Sequence, residues 1–138
     1  MSKSHEFAWA AGFFDGEGWV AVQKRGGNKY LGYYLRIGIN HVKKDPLVKI
    51  QNIFGGNLRF DENVIGNRKP RWVWTLSTKS AADALISMLP YMRNKNSVAE
   101  LGLEFINTVG LTGQRVSEST QLLRAAISAE LKIINSRD

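Results

Sequence analysis

A chain of 138 residues, 43% hydrophobic and 22% charged, has the composition of a soluble globular protein and the length to bury a core without staples. It has no cysteine, which excludes a disulfide scaffold and thiolate metal sites, and no apolar run reaches the length of a membrane span. Nineteen Lys and Arg against twelve Asp and Glu leave a net charge of +7, with eleven basic and six acidic side chains in residues 1–70, so this basic chain is drawn to polyphosphates by counterion release, although charge kept for solubility reads the same way.

Ser4 suits the N-cap of a helix through about Phe14, with Glu6 in its first turn. This segment is apolar nearly all round (Phe7, Ala8, Trp9, Ala10, Ala11, Phe13, Phe14), which predicts burial on more than one side. In a chain this small, the second side implies a second molecule. The stretch is too short for a signal peptide, ends in Asp15 and Glu17, and lacks a small-residue cleavage site. Val20 and Val22 then alternate with Ala21, Gln23 and Arg25, and Gly26-Gly27-Asn28 marks a turn. Residues 30–40 resume the alternation, with Leu35, Ile37 and Ile39 on one face and Tyr34, Arg36 and Gly38 on the other. Asp45 as N-cap and Pro46 open a second helix, which Gly55-Gly56 closes.

A second strand pair follows. Leu58 and Phe60 alternate with Arg59 and Asp61, Gly66-Asn67 marks a loop, and Trp72, Trp74 and Leu76 alternate with Arg71, Val73, Thr75 and Ser77. Trp72 and Trp74 fall on the inward face and read as core, not as base-stacking platforms. Ser80, with Asp83 three residues on, can start a third helix that Pro90 stops, and helices over about 95–108 and 117–134 complete the chain. The order α-ββ-α-ββ-α, then more helix, predicts a single α+β domain over 1–138. Its antiparallel strands pack an apolar face on the helices and leave a polar, basic face for a partner. No linker, low-complexity tract or clear internal repeat interrupts it.

Ala10-Ala11-Gly12-Phe13-Phe14-Asp15-Gly16-Glu17-Gly18 resembles the LAGLIDADG motif, with Gly12, Asp15, Glu17 and Gly18 in register. A short string of glycines and acids is a weak signal alone; here it ends an apolar helix and precedes amphipathic strands in a basic chain. Gly12 and Gly16, four apart, share one helical face and let a second helix approach closely. Gly18 can turn the chain into a strand, at a position that favours glycine. Glu17 then sits at the helix C-terminal tip, where a carboxylate is poorly placed for helix stability and well placed to hold a divalent cation.

Through these residues the chain resembles the LAGLIDADG homing endonuclease family, up to about residue 110. The resemblance implies the αββαββα fold, a saddle-shaped antiparallel sheet straddling double-stranded DNA, and here an additional C-terminal helix. It also implies site-specific cleavage that depends on Mg2+, with Mn2+ or Ca2+ as substitutes, and usually an intron or intein host. Two departures stand out. Glu17-Gly18 replaces the family's Asp-Gly, and Ala10 stands where Leu is usual, a thinning that Trp9 and Phe13 can compensate.

The resemblance implies a catalytic set of Glu17, His41 and Lys95, with Glu17 and Gly16 at the metal. His41, at the end of the second strand, would organise water or handle protons; a solvent-facing histidine or a phosphate contact is the alternative. Lys95, after Pro90, would stabilise charge developing on the phosphate; an exposed lysine at a helix start is the alternative. Lys43 and Lys44 are expected to contact phosphate or the periphery of the site. Trp9, Gly12, Phe13, Asp15 and Gly16 are expected at the interface between subunits, with Asp15 bonding to the partner helix. The polar sheet face would read DNA through Gln23, Arg25, Tyr34, Arg36 and Gly38 in the first hairpin, and through Arg59, Asp61, Arg71 and Thr75 in the second. Lys24 and Lys29, flanking the first turn, suit phosphate contacts.

A second motif is not found. Leu101-Gly102-Leu103-Glu104 is the nearest, and it lacks the terminal acid-Gly pair. Half an active site per chain implies a homodimer and a roughly palindromic target. The rival readings are a LAGLIDADG-derived DNA-binding regulator and a maturase that binds intron RNA without cutting. His5 and His41 are too few for a His-rich HNH site, and Gly32-Tyr33-Tyr34 lacks the rest of a GIY-YIG pattern. A purely structural dimer leaves the basic sheet face unexplained. The expected location is intracellular: bacterial cytoplasm, chloroplast or mitochondrion.

Overall fold

A computed structural model describes residues 2–24, 32–62, 66, 69–108 and 118–136. The element order is α1 Lys3–Glu17, β1 Gly18–Lys24, β2 Tyr33–His41, α2 Asp45–Phe54, β3 Asn57–Asp61, β4 Arg71–Ser77, α3 Thr78–Met88, a 3-10 turn Leu89–Tyr91, α4 Asn96–Asn107 and α5 Glu118–Ser136. This is the expected αββαββα order, followed by two further helices, α4 and α5. The expected turn at Gly26-Gly27-Asn28, together with Arg25, Lys29 and Asn67, lies outside the described residues.

Three helix starts differ from expectation. Ser2, not Ser4, caps α1: its backbone is extended and its Oγ accepts from the His5 N–H at 3.3 Å, which places Ser4 inside the first turn. Helix α2 begins with Asp45 already helical after Lys44, so Pro46 lies in its first turn as expected, while Asp45 is not the cap. Helix α3 begins at Thr78, directly after β4, and not at Ser80; no loop intervenes because Thr78 itself makes the turn at φ +55°. Elsewhere the punctuation agrees. Gly55, at φ +76°, ends α2, and its N–H bonds the Gln51 carbonyl at 2.7 Å. Pro90 lies in the turn that follows α3.

The four strands form one antiparallel sheet in the order β1-β2-β4-β3. Its symmetry about the central β2·β4 pair follows from two hairpins joined along their second strands. Register places Ile37 opposite Leu76 and Ile39 opposite Trp74, so the apolar sets of both hairpins meet on one face. Helices α1, α3 and α4 cover that face over β1 and β2, and α2 covers it over β3 and β4. The core formed there includes Phe14, Val20, Leu35, Ile37, Ile39, Trp74, Leu85 and Phe105, all essentially inaccessible. Trp74 is core as expected, and its indole N–H is satisfied by the Gly55 carbonyl at 2.8 Å. Gly102 lies in α4 where an added Cβ would come within 3.0 Å of Val20 and 3.1 Å of Leu35, so this glycine serves close helix-to-sheet packing.

Helix α5 covers the free edge of β1. Ser128 Oγ donates to the Val22 carbonyl at 2.5 Å and Asn135 Nδ2 to the Val20 carbonyl at 2.9 Å, so the edge is capped by side chains. Buried Arg124 holds α5 to the end of α4. Its guanidinium donates to Thr108 Oγ1 at 2.9 Å and to the Thr108 carbonyl at 2.7 Å, and lies 5.7 Å from the Phe105 ring centre.

Candidate active site

Helix α1 has two different faces. Ala10, Ala11 and Phe14 are buried in the core. Gly12 and Gly16 are exposed, and an added Cβ at either would meet nothing within 4 Å. Half-buried Trp9 and Phe13 flank them, with ring centres 5.6 Å apart, and Lys49 Nζ lies 4.4 Å from the Trp9 ring centre. The helix runs past Phe14 to Glu17, so Glu17 closes it, exposed and with no hydrogen-bond partner among the described residues. Gly18 has φ −82°, so it takes no left-handed turn; what requires glycine is the Phe14 ring, which lies 2.4 Å from where a Cβ would be.

Glu17 and His41 come together. With Asn40, Val42, Lys69 and Arg71 they line an open concavity of about 420 Å³. His41 ends β2, as expected. Its Nδ1 accepts from the Lys43 N–H at 3.0 Å, and its ring packs 5.5 Å from the Phe13 ring centre. Lys43 is exposed, and Lys44 Nζ lies 4.8 Å from the ring centre of Trp72, the residue opposite His41 in the sheet. Among the described residues, no group of three His, Asp or Glu side chains could hold a metal ion.

Lys95 does not line this concavity; it is tied to α1 through Asp15. The Asp15 carboxylate accepts from the backbone N–H groups of Arg93 at 2.6 Å, Asn94 at 3.2 Å and Lys95 at 3.0 Å. Asn94 Nδ2 donates back to the Asp15 carbonyl at 3.1 Å. Asp15 was expected to bond a partner helix. Within its own chain it is taken up by the N–H groups ahead of α4, which need an acceptor, and a carboxylate supplies the strongest one.

The sheet's outward face carries the expected polar set, with changes at two positions. The Gln23 Oε1 accepts from the Tyr34 hydroxyl at 3.0 Å and from Arg36 Nη1 at 3.4 Å, which joins three expected DNA readers in one group. Lys24 is exposed at the end of β1, Arg59 is exposed on β3, and Asp61 lies opposite Arg71. Gly38 was expected to allow DNA close. That space belongs to Trp19, whose ring would come within 2.4 Å of an added Cβ, so the glycine admits the chain's own indole. Thr75, opposite Gly38, is only 6% exposed and does not present itself on this surface.

Three residues at this surface escaped the sequence reading. Asn40 lay within the Ile39-Asn40-His41 strand end and alternates outward, but His41 drew the chemical argument. Trp19 follows Gly18 with the wrong polarity for a polar face. Lys69 precedes β4 outside any periodic segment, so no pattern could place it beside Glu17.

The profile of the LAGLIDADG endonuclease family matches residues 10–107. The chain belongs to that family. Among solved structures, this LAGLIDADG protein is similar to the homing endonuclease I-CvuI in complex with the I-CreI target in 2 mM Mg, DNA not cleaved: 23% identity and TM-score 0.77, over 95% of this chain and 82% of that one. The archaeal intron-encoded homing endonuclease I-Vdi141I, complexed with DNA, gives 14% identity and TM-score 0.76, over 96% and 85%. The LAGLIDADG homing endonuclease I-GzeII, in complex with its DNA target, gives 17% and TM-score 0.70, over 93% of this chain but only 44% of that one. These neighbours share the fold. No curated protein matched the chain in sequence. Among the described residues, no helix is long and apolar enough to cross a membrane.

Proposed function

We propose that this LAGLIDADG protein is a site-specific double-strand DNA endonuclease that acts as a homodimer, each copy supplying one Glu17. The carrying observation is the free Glu17 carboxylate at the exposed tip of α1, in one concavity with His41, Lys69 and Arg71. Beside it, Gly12 and Gly16 leave α1 open for a second copy of the same helix, with Trp9 and Phe13 at the flanks. I-GzeII is about twice as long as this chain, which supports a unit that works in pairs.

A Mg2+ ion fits the donor set: a hard carboxylate without competing bonds, next to the last carbonyls of a helix, among them that of Gly16. One carboxylate per chain falls short of a full ligand set, so Glu17 of a second copy and phosphate oxygens would complete it. Bound there, a divalent ion supplies Lewis acidity and lowers the pKa of a bound water. The chain's own groups do the rest. His41, its ring fixed through Nδ1, directs Nε2 as the group that orders water or passes a proton. Lys69 and Arg71 draw the phosphodiester towards Glu17, and Lys95, held through Asp15, adds positive charge from the α4 side. Lys24, Lys43 and Lys44 suit the DNA backbone, and Gln23, Tyr34, Arg36 and Arg59 suit base edges. A non-cutting regulator or an RNA maturase would leave the Glu17–His41 concavity without a purpose.

The test is cleavage selection from a randomised duplex library in Mg2+, Mn2+ and Ca2+, with sedimentation of the protein alone. The expected result is a dimer and a roughly palindromic cleaved sequence. A monomer, or tight binding with no cut product in any metal, would overturn the proposal.

A further inference from the structure

Trp19 begins the outward row of β1, one residue beyond Gly18, and its indole lies across Gly38. Its Nε1 donates to Asn40 Oδ1 at 3.3 Å. An indole N–H is a donor only, so the atom of Asn40 that faces it must be the amide oxygen. That settles which way round the amide lies, a choice that rests on the hydrogen-bond network. The Asn40 NH2 is then the end left over, without a hydrogen-bond partner among the described residues, on a residue that lines the concavity with Glu17 and His41. Neither residue figured in the site read from the sequence.

We propose that Asn40 is a further catalytic residue whose NH2 donates to an anionic oxygen in the Glu17–His41 concavity, and that Trp19 is the positioning residue that keeps the donor end turned inward. The oxygen is either a non-bridging oxygen of the scissile phosphate or that of an activated water. Both take a hydrogen bond more strongly as negative charge develops, which is what lets a fixed donor act on the rate. The positioning is preorganised: the indole rests in the space a side chain at Gly38 would fill, so the amide is aimed before DNA arrives. This inference rests on the endonuclease reading above.

The test uses the full-length dimer and the duplex recovered by cleavage selection, in a cycle of N40A, W19F and the double variant. W19F removes the N–H and keeps an aromatic ring over Gly38. N40A is expected to lower kcat about tenfold, the scale of one lost donor to a developing charge, and W19F about threefold. W19F in the N40A background should then have no further effect on kcat, whereas a merely structural Trp19 would lower it equally in both backgrounds. N40D, which keeps an acceptor for Trp19 but removes the donor, should be at least as slow as N40A. A phosphate contact would also weaken duplex binding without divalent metal for N40A; a water contact would leave it unchanged. The orientation is checked without activity: in NMR spectra, N40A should shift the Trp19 indole N–H and leave that of Trp74 in place. A wild type that cuts no duplex would overturn the endonuclease reading itself. A wild type that cuts while N40A cuts equally fast, or additive effects of the two substitutions, would overturn the roles of Asn40 and Trp19.

Discussion

Two pairs of glycines lie at or near α1, and they face opposite conditions. Gly18 and Gly38 have their space filled by the same chain, by the Phe14 and Trp19 rings, each 2.4 Å from where a Cβ would stand. Gly12 and Gly16 face open space. The first pair is accounted for by the protomer. The second is not: a glycine inside an exposed helix destabilises it by about 1 kcal/mol relative to alanine, and among the described residues nothing offsets that. A second helix packed on the open face would. The contrast separates the glycines whose space this chain fills from those whose space it leaves open, and Glu17 closes the helix that carries the open pair.

The largest effect is expected at that tip. Glu17→Gln should lower the cleavage rate by about a thousandfold or more, roughly 4 kcal/mol of barrier, with sedimentation and DNA affinity unchanged. Loss of binding with the dimer intact would contradict Glu17 as a purely catalytic metal ligand. Gly38→Ala should destabilise the protomer by about 1–3 kcal/mol, because the added methyl meets both Trp19 and the Trp74 carbonyl at 2.7 Å. Chemical denaturation would show it, with a midpoint shift of similar size at every protein concentration. An unshifted midpoint would erase the distinction between the two pairs.

Asp15→Asn tests the link between α1 and α4 and should destabilise by about 1–2 kcal/mol, since a charged acceptor of three N–H groups becomes a neutral one. If its effect on kcat runs through Lys95, that effect should vanish in a Lys95→Ala background. The smallest change in protomer stability is expected at Gly12→Ala: none, or a gain of up to about 1 kcal/mol from helix propensity. Its consequence should appear in association instead, as a weaker dimer by sedimentation velocity. Dimerisation as tight as wild type would move the interface away from this face of α1.

Much of this architecture is legible in the chain. Alternating Val20 and Val22, Leu35 to Ile39, and Trp72 to Leu76 specify strands and their inward faces, because side chains on a strand alternate regardless of what covers them. Helix starts are less legible. Ser2 and Ser4 both suit a cap two residues apart, and Thr78 adopts a positive φ that no sequence rule demands. The concavity is partly legible: Glu17 and His41 each close a regular element, and element ends can be read. Lys69 belongs to no element, and its place beside Glu17 comes from the path that leads into β4.

The sequence by itself determined the order of elements, the faces of the strands, the basic character and the carboxylate at the end of α1, since these depend on local spacing and composition. The tertiary structure alone decided which groups meet. Asp15 caps backbone groups 78 to 80 residues away. Gly38 makes room for Trp19, not for DNA, and the Asn40 amide is oriented by an indole 21 residues earlier. Local propensities say which way a residue faces. What stands opposite it is set by register and packing, which the whole chain must settle together.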